Sequence, residues 1–71
     1  MIIQVNGESK SIEEDLNSPF TLEKIVAYLG YNTRLVVVEY NGVIRPPQTW
    51  QKQEVKDGDV IEIVTIVGGG S

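Results

Sequence analysis

One stretch near the carboxyl end, an apolar run that changes abruptly to glycine, constrains this chain most. Residues 60–67 read Val-Ile-Glu-Ile-Val-Thr-Ile-Val, and Gly68-Gly69-Gly70-Ser71 follow directly. A β-branched run of this length predicts a strand that is buried on at least one face. Glycine has no Cβ, so a glycine segment can thread a narrow channel in a partner. The pattern therefore predicts a firmly held strand that presents a thin tail.

Composition restricts the chemistry that the chain can perform. Its 71 residues include neither cysteine nor histidine, which excludes disulfides, thiol nucleophiles and the usual zinc or copper ligands. We expect no metal site and no bound cofactor. A chain of this length forms one domain whose stability comes from packing. We predict that this domain covers residues 1–67 and that residues 68–71 form a flexible, glycine-rich tail.

The balance of charges bears on the class of partner. Ten acidic and six basic residues give a formal charge of −4, which argues against nucleic-acid binding and favours docking to a basic protein surface. No apolar run approaches the roughly 20 residues needed to span a bilayer. The amino-terminal residues also lack the pattern of a signal segment. We expect a cytoplasmic protein that binds neither nucleic acid nor membrane.

Turn and capping signals divide the chain into strands and one helix. Asn6-Gly7 and Asn41-Gly42 are typical of type I′ hairpin turns. Thr21 is a predicted N-cap and Gly30 a predicted left-handed C-cap, with apolar residues at helical spacing between them. Strands are expected over residues 1–6, 8–12, 35–40, 43–45 and 60–67.

This order of elements predicts an α+β fold. If the first and last strands lie side by side in the middle of a mixed sheet, one helix can cover both apolar runs, which is the β-grasp (ubiquitin-like) arrangement. Alternation assigns the following residues to the helix side: Ile3, Val5, Val36, Val38, Tyr40, Ile61 and Ile63. It assigns these to the open side: Ile2, Val37, Glu62, Val64 and Ile66. Since exposed apolar residues often mark an interface, we expect Val37, Val64 and Ile66 to dock a partner.

The polar residues provide no convincing active site. Asp57 and Asp59 flank a turn glycine, where carboxylates typically accept backbone N–H groups. Gly68-Gly69-Gly70 lacks the lysine and following helix of a phosphate-binding loop. Trp50 is expected to cover the core, because a domain this small needs large apolar side chains. We therefore predict no catalytic residue and no enzymatic activity.

Three segments carry a resemblance to a known family. They are residues 1–8, Met-Ile-Ile-Gln-Val-Asn-Gly-Glu; residues 38–44, Val-Glu-Tyr-Asn-Gly-Val-Ile, with Pro46 and Trp50 downstream; and residues 57–70, from Asp-Gly-Asp to the final glycine. Over essentially its whole length the chain resembles the ThiS family of sulfur carriers in thiamine biosynthesis. The Asp-Gly-Asp turn and the diglycine are shared with the molybdopterin-synthase small subunit. The spacing from Asn41 through Pro46 to Trp50 is more particular to the ThiS family.

The resemblance implies a mechanism at the end of the chain. A partner resembling E1 enzymes, of the ThiF type, would adenylate the Gly70 carboxylate with ATP and magnesium. Conversion to a thiocarboxylate would follow, and the sulfur would pass to a thiazole synthase of the ThiG type. Gly68 and Gly69 would give the tail access to these enzymes.

Two positions differ from the family pattern. The family commonly has an arginine after the first proline, whereas this chain has Pro47 there and Arg45 before the pair. The family ends on glycine, whereas Ser71 follows Gly70 and would move the terminal carboxylate by up to about 3.6 Å. We therefore expect the form that ends at Ser71 to be inert until it is trimmed.

Two alternatives remain open from the sequence. The chain could be a β-grasp interaction module that binds through its open sheet face and uses no terminal chemistry. It could also carry sulfur for another pathway, such as molybdopterin synthesis, cysteine synthesis or tRNA thiolation.

Overall fold

The structure, a computed structural model, describes residues 1–13 and 19–66. In chain order the elements are β1 (Ile2–Val5), β2 (Glu8–Ser11), α1 (Leu22–Tyr28), β3 (Val36–Tyr40), β4 (Val43–Ile44), a 3₁₀ turn (Pro47–Thr49) and β5 (Val60–Thr65). The five strands form one sheet in the order β2-β1-β5-β3-β4. In the middle, β5 runs parallel to β1 and antiparallel to β3. This is the predicted α+β, β-grasp arrangement.

Both Asn-Gly turns have the predicted backbone conformation. Asn6 and Gly7 have φ values of 51° and 81°, and Asn41 and Gly42 have 49° and 85°. Positive φ at both central residues defines a type I′ turn, whose twist matches that of the flanking strands. Each turn therefore sets the register of its hairpin.

The ends of α1 are capped as the sequence predicts. The Thr21 hydroxyl oxygen accepts a hydrogen bond from the Lys24 backbone N–H at 3.3 Å. At the other end, Gly30 has φ of 87° and its N–H donates to the Ala27 carbonyl at 3.0 Å. Both caps satisfy backbone groups that a seven-residue helix leaves unpaired.

The core lies between α1 and one side of the sheet. All seven residues predicted for the helix side are buried: Ile3, Val5, Val36, Val38, Tyr40, Ile61 and Ile63. Trp50 is also buried, and its indole N–H donates to the Arg45 carbonyl at 2.8 Å. The prediction that Trp50 covers the core is confirmed, because the ring is buried and its one polar group has a partner.

For the four strands before β5, the predicted ends differ from the observed ones by at most one residue. Leu35, Ile12 and Arg45 fall just outside β3, β2 and β4. Each still takes part in one backbone hydrogen bond of the sheet; for example, the Leu35 carbonyl accepts from the Ile66 N–H at 2.6 Å. Pairing weakens gradually at strand ends, which alternation in a sequence does not register.

The predicted boundary between domain and tail lies outside the described residues. The predicted strand 60–67 is observed as β5, Val60–Thr65, and residue 67 is not described. Among the described residues, no helix is long and apolar enough to cross a membrane.

Candidate functional site

The strand that leads to the glycines is held by a side chain as well as by its neighbours. Asn6 Oδ1 accepts a hydrogen bond from the Ile63 N–H at 2.7 Å, and Asn6 Nδ2 donates to the Ile63 carbonyl at 3.1 Å. The paired residues of β1 and β5 end at Val5 and Ile61. The Asn6 amide thus continues the pairing of β5 two residues further toward the tail.

The second turn asparagine fixes the start of β5. Asn41 Oδ1 accepts from the Val60 N–H at 2.8 Å, and Asn41 Nδ2 donates to Asp59 Oδ1 at 3.3 Å. The Asn-Gly pattern predicts only the turn role of each asparagine. Because the side-chain amide offers an acceptor and donors, each turn also fastens the central strand.

Asp59 has several donors around its carboxylate. The Lys56 N–H donates to Asp59 Oδ2 at 2.8 Å, and the Tyr40 hydroxyl donates to the same oxygen. Burial alone would raise the pKa of Asp59, but the hydrogen bonds from Tyr40, Lys56 and Asn41 outweigh it and lower the pKa. Burial and the hydrogen bond to Asp59 raise the pKa of Tyr40 to about 12. Near neutral pH the turn is therefore held by an ionised Asp59 carboxylate that accepts a hydrogen bond from a neutral Tyr40 hydroxyl.

Asp57 also has a structural role. Its Oδ1 accepts from the Ile2 backbone N–H at 2.7 Å, which ties the 56–59 turn to β1. The prediction that both turn carboxylates accept backbone N–H groups is confirmed. Among residues 1–13 and 19–66, no group of three or more acidic side chains is arranged to hold a metal ion.

The three predicted docking residues lie together on the open face, the side of the sheet away from α1. Val37 is directly opposite Val64 in the β3–β5 ladder, and Ile66 follows next to Leu35. The exposed fractions are 38% for Val37, 61% for Val64 and 50% for Ile66. We call these three residues the docking strip. It lies at the end of β5 that leads to the glycines.

Further apolar residues extend the strip. Leu35, Ile44 and Val60 are large, exposed and, by their register with open-face residues, on the same side of the sheet. These three residues were not predicted to be on the open face, although the register fixed by the Asn41-Gly42 turn places Ile44 opposite Glu39. Ile2 and Glu62, both predicted for the open face, are exposed there.

A groove of about 550 Å³ adjoins the docking strip. Val37 and Ile66 line one part of it, and Arg34, Pro47 and Trp50 line another. The apolar surface near the end of β5 is therefore continuous from the sheet into this groove.

Arg45 does not belong to the open face. It follows β4 opposite Val38, on the helix side, and its guanidinium carbon lies 6.0 Å from the centre of the Tyr40 ring. At this distance the guanidinium makes a weak cation–π contact. The chain therefore has no arginine from this segment on the docking strip.

The three glycines themselves lie outside the described residues. Gly68, Gly69 and Gly70 follow Ile66 after a single intervening valine. The roles assigned to Gly68, Gly69 and Gly70 therefore stay predictions. The structure describes β5, which leads to them, and the docking strip.

Comparison with known proteins gives a consistent result. The model of the ThiS family matches residues 3–70. The sulfur carrier protein ThiS of Bacillus subtilis is 33% identical over 69 residues, covering 97% of this chain and 100% of that protein. A crystal structure of the thiamine biosynthesis protein ThiS from Geobacter metallireducens superposes with a TM-score of 0.81 at 27% identity, covering 99% of this chain and 100% of that one.

A longer protein also contains a similar segment. A thiazole synthase of Paramagnetospirillum magneticum is 38% identical over 71 residues, which is 100% of this chain and 21% of that protein. The family match over nearly the whole chain and the shared β-grasp fold agree with the resemblance found in the sequence. The chain belongs to the ThiS family of sulfur carrier proteins, which are small carriers and not enzymes.

Proposed function

We propose that this chain carries sulfur as a thiocarboxylate on Gly70 for the synthesis of the thiamine thiazole. Membership of the ThiS family is the observation that carries the proposal. The family's named members in Bacillus subtilis and Geobacter metallireducens are a sulfur carrier protein and a thiamine biosynthesis protein. The match to a segment of a thiazole synthase supports an enzyme of that class as the acceptor of the sulfur.

The chemistry begins with an unreactive carboxylate. Its carbonyl carbon is a poor electrophile because oxide would have to leave. An E1-like, ThiF-type partner first joins the Gly70 carboxylate to AMP, using ATP and magnesium and releasing pyrophosphate. A sulfur nucleophile then attacks the carbonyl carbon, a C–S bond forms, and the C–O bond to AMP breaks. The thiocarboxylate stays covalently attached and nucleophilic until the ThiG-type thiazole synthase takes the sulfur.

The body of the protein would act as a rigid handle in these steps. Ile66 is the last described residue, and four residues separate it from the end of Gly70, an extended span of at most about 14 Å. An enzyme that holds the docking strip of Val37, Val64 and Ile66 must therefore have its active site within that distance of β5. Gly68 and Gly69 would admit the tail because they carry no side chain. We place these steps in the cytoplasm.

Intact mass spectrometry tests the proposal directly. A chain that ends at Gly70, incubated with ATP, magnesium, a sulfur source and the adenylating enzyme of the same organism, should gain about 16 Da as sulfur replaces oxygen. The matched control lacks Gly69 and Gly70 and should keep its mass. A chain that retains Ser71 should also keep its mass.

The same variants separate this function from that of a plain interaction module. A module would bind its partner equally well without Gly69 and Gly70, and the chain ending at Gly70 would gain no mass. That pair of results would contradict the carrier proposal. Copurification with a thiazole synthase, rather than with enzymes of molybdopterin, cysteine or tRNA thiolation pathways, would identify the pathway.

A further inference from the structure

Two carboxylates face each other on the open face of the sheet. Glu39 of β3 lies directly opposite Glu62 of β5. In an antiparallel ladder, every second pair of opposite residues is joined by backbone hydrogen bonds. Leu35–Ile66 and Asn41–Val60 are joined in this way, and Glu39–Glu62 lies an even number of residues from both. Glu39 and Glu62 are therefore also a hydrogen-bonded pair, with Cα atoms about 5.5 Å apart. Like charges directly opposite each other destabilise a sheet. In the described part of the chain, neither carboxylate has an ion-pair partner.

The surroundings of the pair are apolar. Val37 and Val64, two residues of the docking strip, form the neighbouring pair on the open face, and Ile44 lies beside Glu39. The strand residues on the open face, as far as the structure describes it, include no lysine or arginine: Ile2, Gln4, Ser9, Ser11, Val37, Glu39, Ile44, Val60, Glu62 and Val64. A surface that covers the apolar residues must therefore also meet two uncompensated negative charges.

No cation of the described residues pairs with either carboxylate. Arg34 is exposed beside the docking strip and lines the groove with Val37 and Ile66, but no ion pair joins it to Glu39 or Glu62. The two segments outside the description read Glu-Asp-Leu-Asn-Ser at 14–18 and Val-Gly-Gly-Gly-Ser at 67–71, and neither contains lysine or arginine. A second copy docked face to face would bring four carboxylates together, which opposes association. Charge complementarity instead favours a different protein with a basic side chain at this position.

We propose that the adenylating enzyme inserts an arginine between Glu39 and Glu62 when its apolar surface covers the docking strip. This inference rests on the proposed function, because it assigns the occupant of the open face to the enzyme that activates the tail. A guanidinium carries five N–H donors in one plane, so it can donate to both carboxylates at once. Exclusion of water by the surrounding valines and isoleucine strengthens these contacts. The carboxylate pair then determines which protein docks, while the strip provides apolar area.

The test compares two double variants of the full chain. E39Q/E62Q removes both charges and keeps the shape of the side chains. E8Q/E13Q removes the same charge from two exposed residues: Glu8 is opposite Val5, on the helix side, and Glu13 lies outside the strands. Calorimetry with the purified adenylating enzyme of the same organism measures Kd at low and at physiological salt. Circular dichroism confirms that both variants are folded.

We expect E39Q/E62Q to raise Kd roughly tenfold or more and to reduce its dependence on salt, since a desolvated charge pair is lost. E8Q/E13Q should change Kd by less than about twofold. Equal Kd values for E39Q/E62Q and the unchanged chain would overturn the inference, as would an equal loss in both double variants. A dimer of the unchanged chain that E39Q/E62Q strengthens would also overturn it, because a second copy would then occupy the face.

Failure of this inference is distinguishable from failure of the proposed function. If the chain ending at Gly70 gains mass but Kd is insensitive to E39Q/E62Q, the carrier function holds and the arginine contact is wrong. If Kd responds as expected and no mass is gained, the docking contact holds and the thiocarboxylate chemistry is wrong.

Discussion

The two sides of β5 carry similar residues but have opposite surroundings. Ile61 and Ile63 face α1 and are exposed by 0% and 5%, whereas Val64 and Ile66 lie on the open face and are exposed by 61% and 50%. Burying such a side chain contributes roughly 1.5–3 kcal/mol to folding. The helix side therefore stabilises the protein, while the apolar area of the open side remains available to a partner. In a single strand, one set of alternate residues is buried in the core and the other set is left exposed.

Truncation of one isoleucine on each side should show the largest difference. We expect Ile61→Ala to lower the free energy of unfolding by about 2–5 kcal/mol, because it leaves a cavity between β5 and α1. Ile66→Ala removes the same atoms from an exposed position and should change stability by less than about 0.5 kcal/mol. Urea denaturation measures both values. Equal losses would show that the open side is part of the core and would contradict the comparison.

The Tyr40–Asp59 hydrogen bond stabilises the turn from which β5 begins, so its removal should affect the whole strand. We expect Tyr40→Phe to lower stability by about 1.5–3 kcal/mol near neutral pH, since a hydrogen bond to an ionised carboxylate is lost. Urea denaturation across pH measures the effect. Asp59→Asn serves as the companion variant, because it keeps an acceptor for Tyr40 but removes the charge.

The pKa shifts give this hydrogen bond two pH limits. The pKa of Asp59 lies below 3.8 in the folded chain, so its contribution is complete above pH 3.8 and is lost as pH falls through the lowered value. The pKa of Tyr40 rises from 10.0 to about 12, so its contribution is complete below pH 10.0 and is lost as pH approaches 12. Tyr40→Phe should remove this contribution from the alkaline limb. An unchanged alkaline limb in Tyr40→Phe would exclude Tyr40 as its source.

The Asn6 side chain provides a smaller test of how β5 is held. Asn6→Gly keeps the positive φ of the turn but removes the two hydrogen bonds to Ile63. We expect a loss of about 1–2 kcal/mol and faster hydrogen exchange at the Ile63 amide. In Asn41→Gly the loss should instead appear at the Val60 amide, which Asn41 binds. Unaltered protection of the Ile63 amide in Asn6→Gly would show that the side chain does not fasten the strand.

Features that repeat along the sequence predicted most of the fold. Every residue that alternation assigned to the helix side is buried. The Asn-Gly turns and the Thr21 cap also have the expected geometry. These signals are local, because each depends on a few neighbouring residues and on backbone sterics. The parallel pairing of β1 with β5 was also predictable, because placing both strands in the middle of the sheet buries both apolar runs under one helix.

The features that the sequence did not reveal depend on register between distant segments. Nothing local to Asn6 indicates that its amide binds Ile63, 57 positions later. Likewise, Glu39 and Glu62 become neighbours only once the pairing of β3 with β5 is known. Leu35 and Ile44 were missed although local signals place them, because alternation along β3 puts Leu35 with Val37 and the Asn41-Gly42 hairpin puts Ile44 opposite Glu39. Alternation sufficed to predict that the docking strip is exposed, whereas the pairing of Glu39 with Glu62 required the tertiary structure.

The smallest expected effect concerns the carboxylate pair, and it has the opposite sign. Glu62→Gln removes the like charge opposite Glu39, so we expect the isolated chain to become more stable by roughly 0.2–1 kcal/mol at low salt. High salt should abolish the gain, because exposed charges are screened. Glu8→Gln is the control, because Glu8 Oε2 lies 3.4 Å from Lys10 Nζ. Removing the charge of Glu8 should therefore not increase stability. Urea denaturation at two salt concentrations measures both variants. If Glu62→Gln were destabilising, the carboxylate would have a favourable partner within the chain, and the open side would contribute to folding as the helix side does.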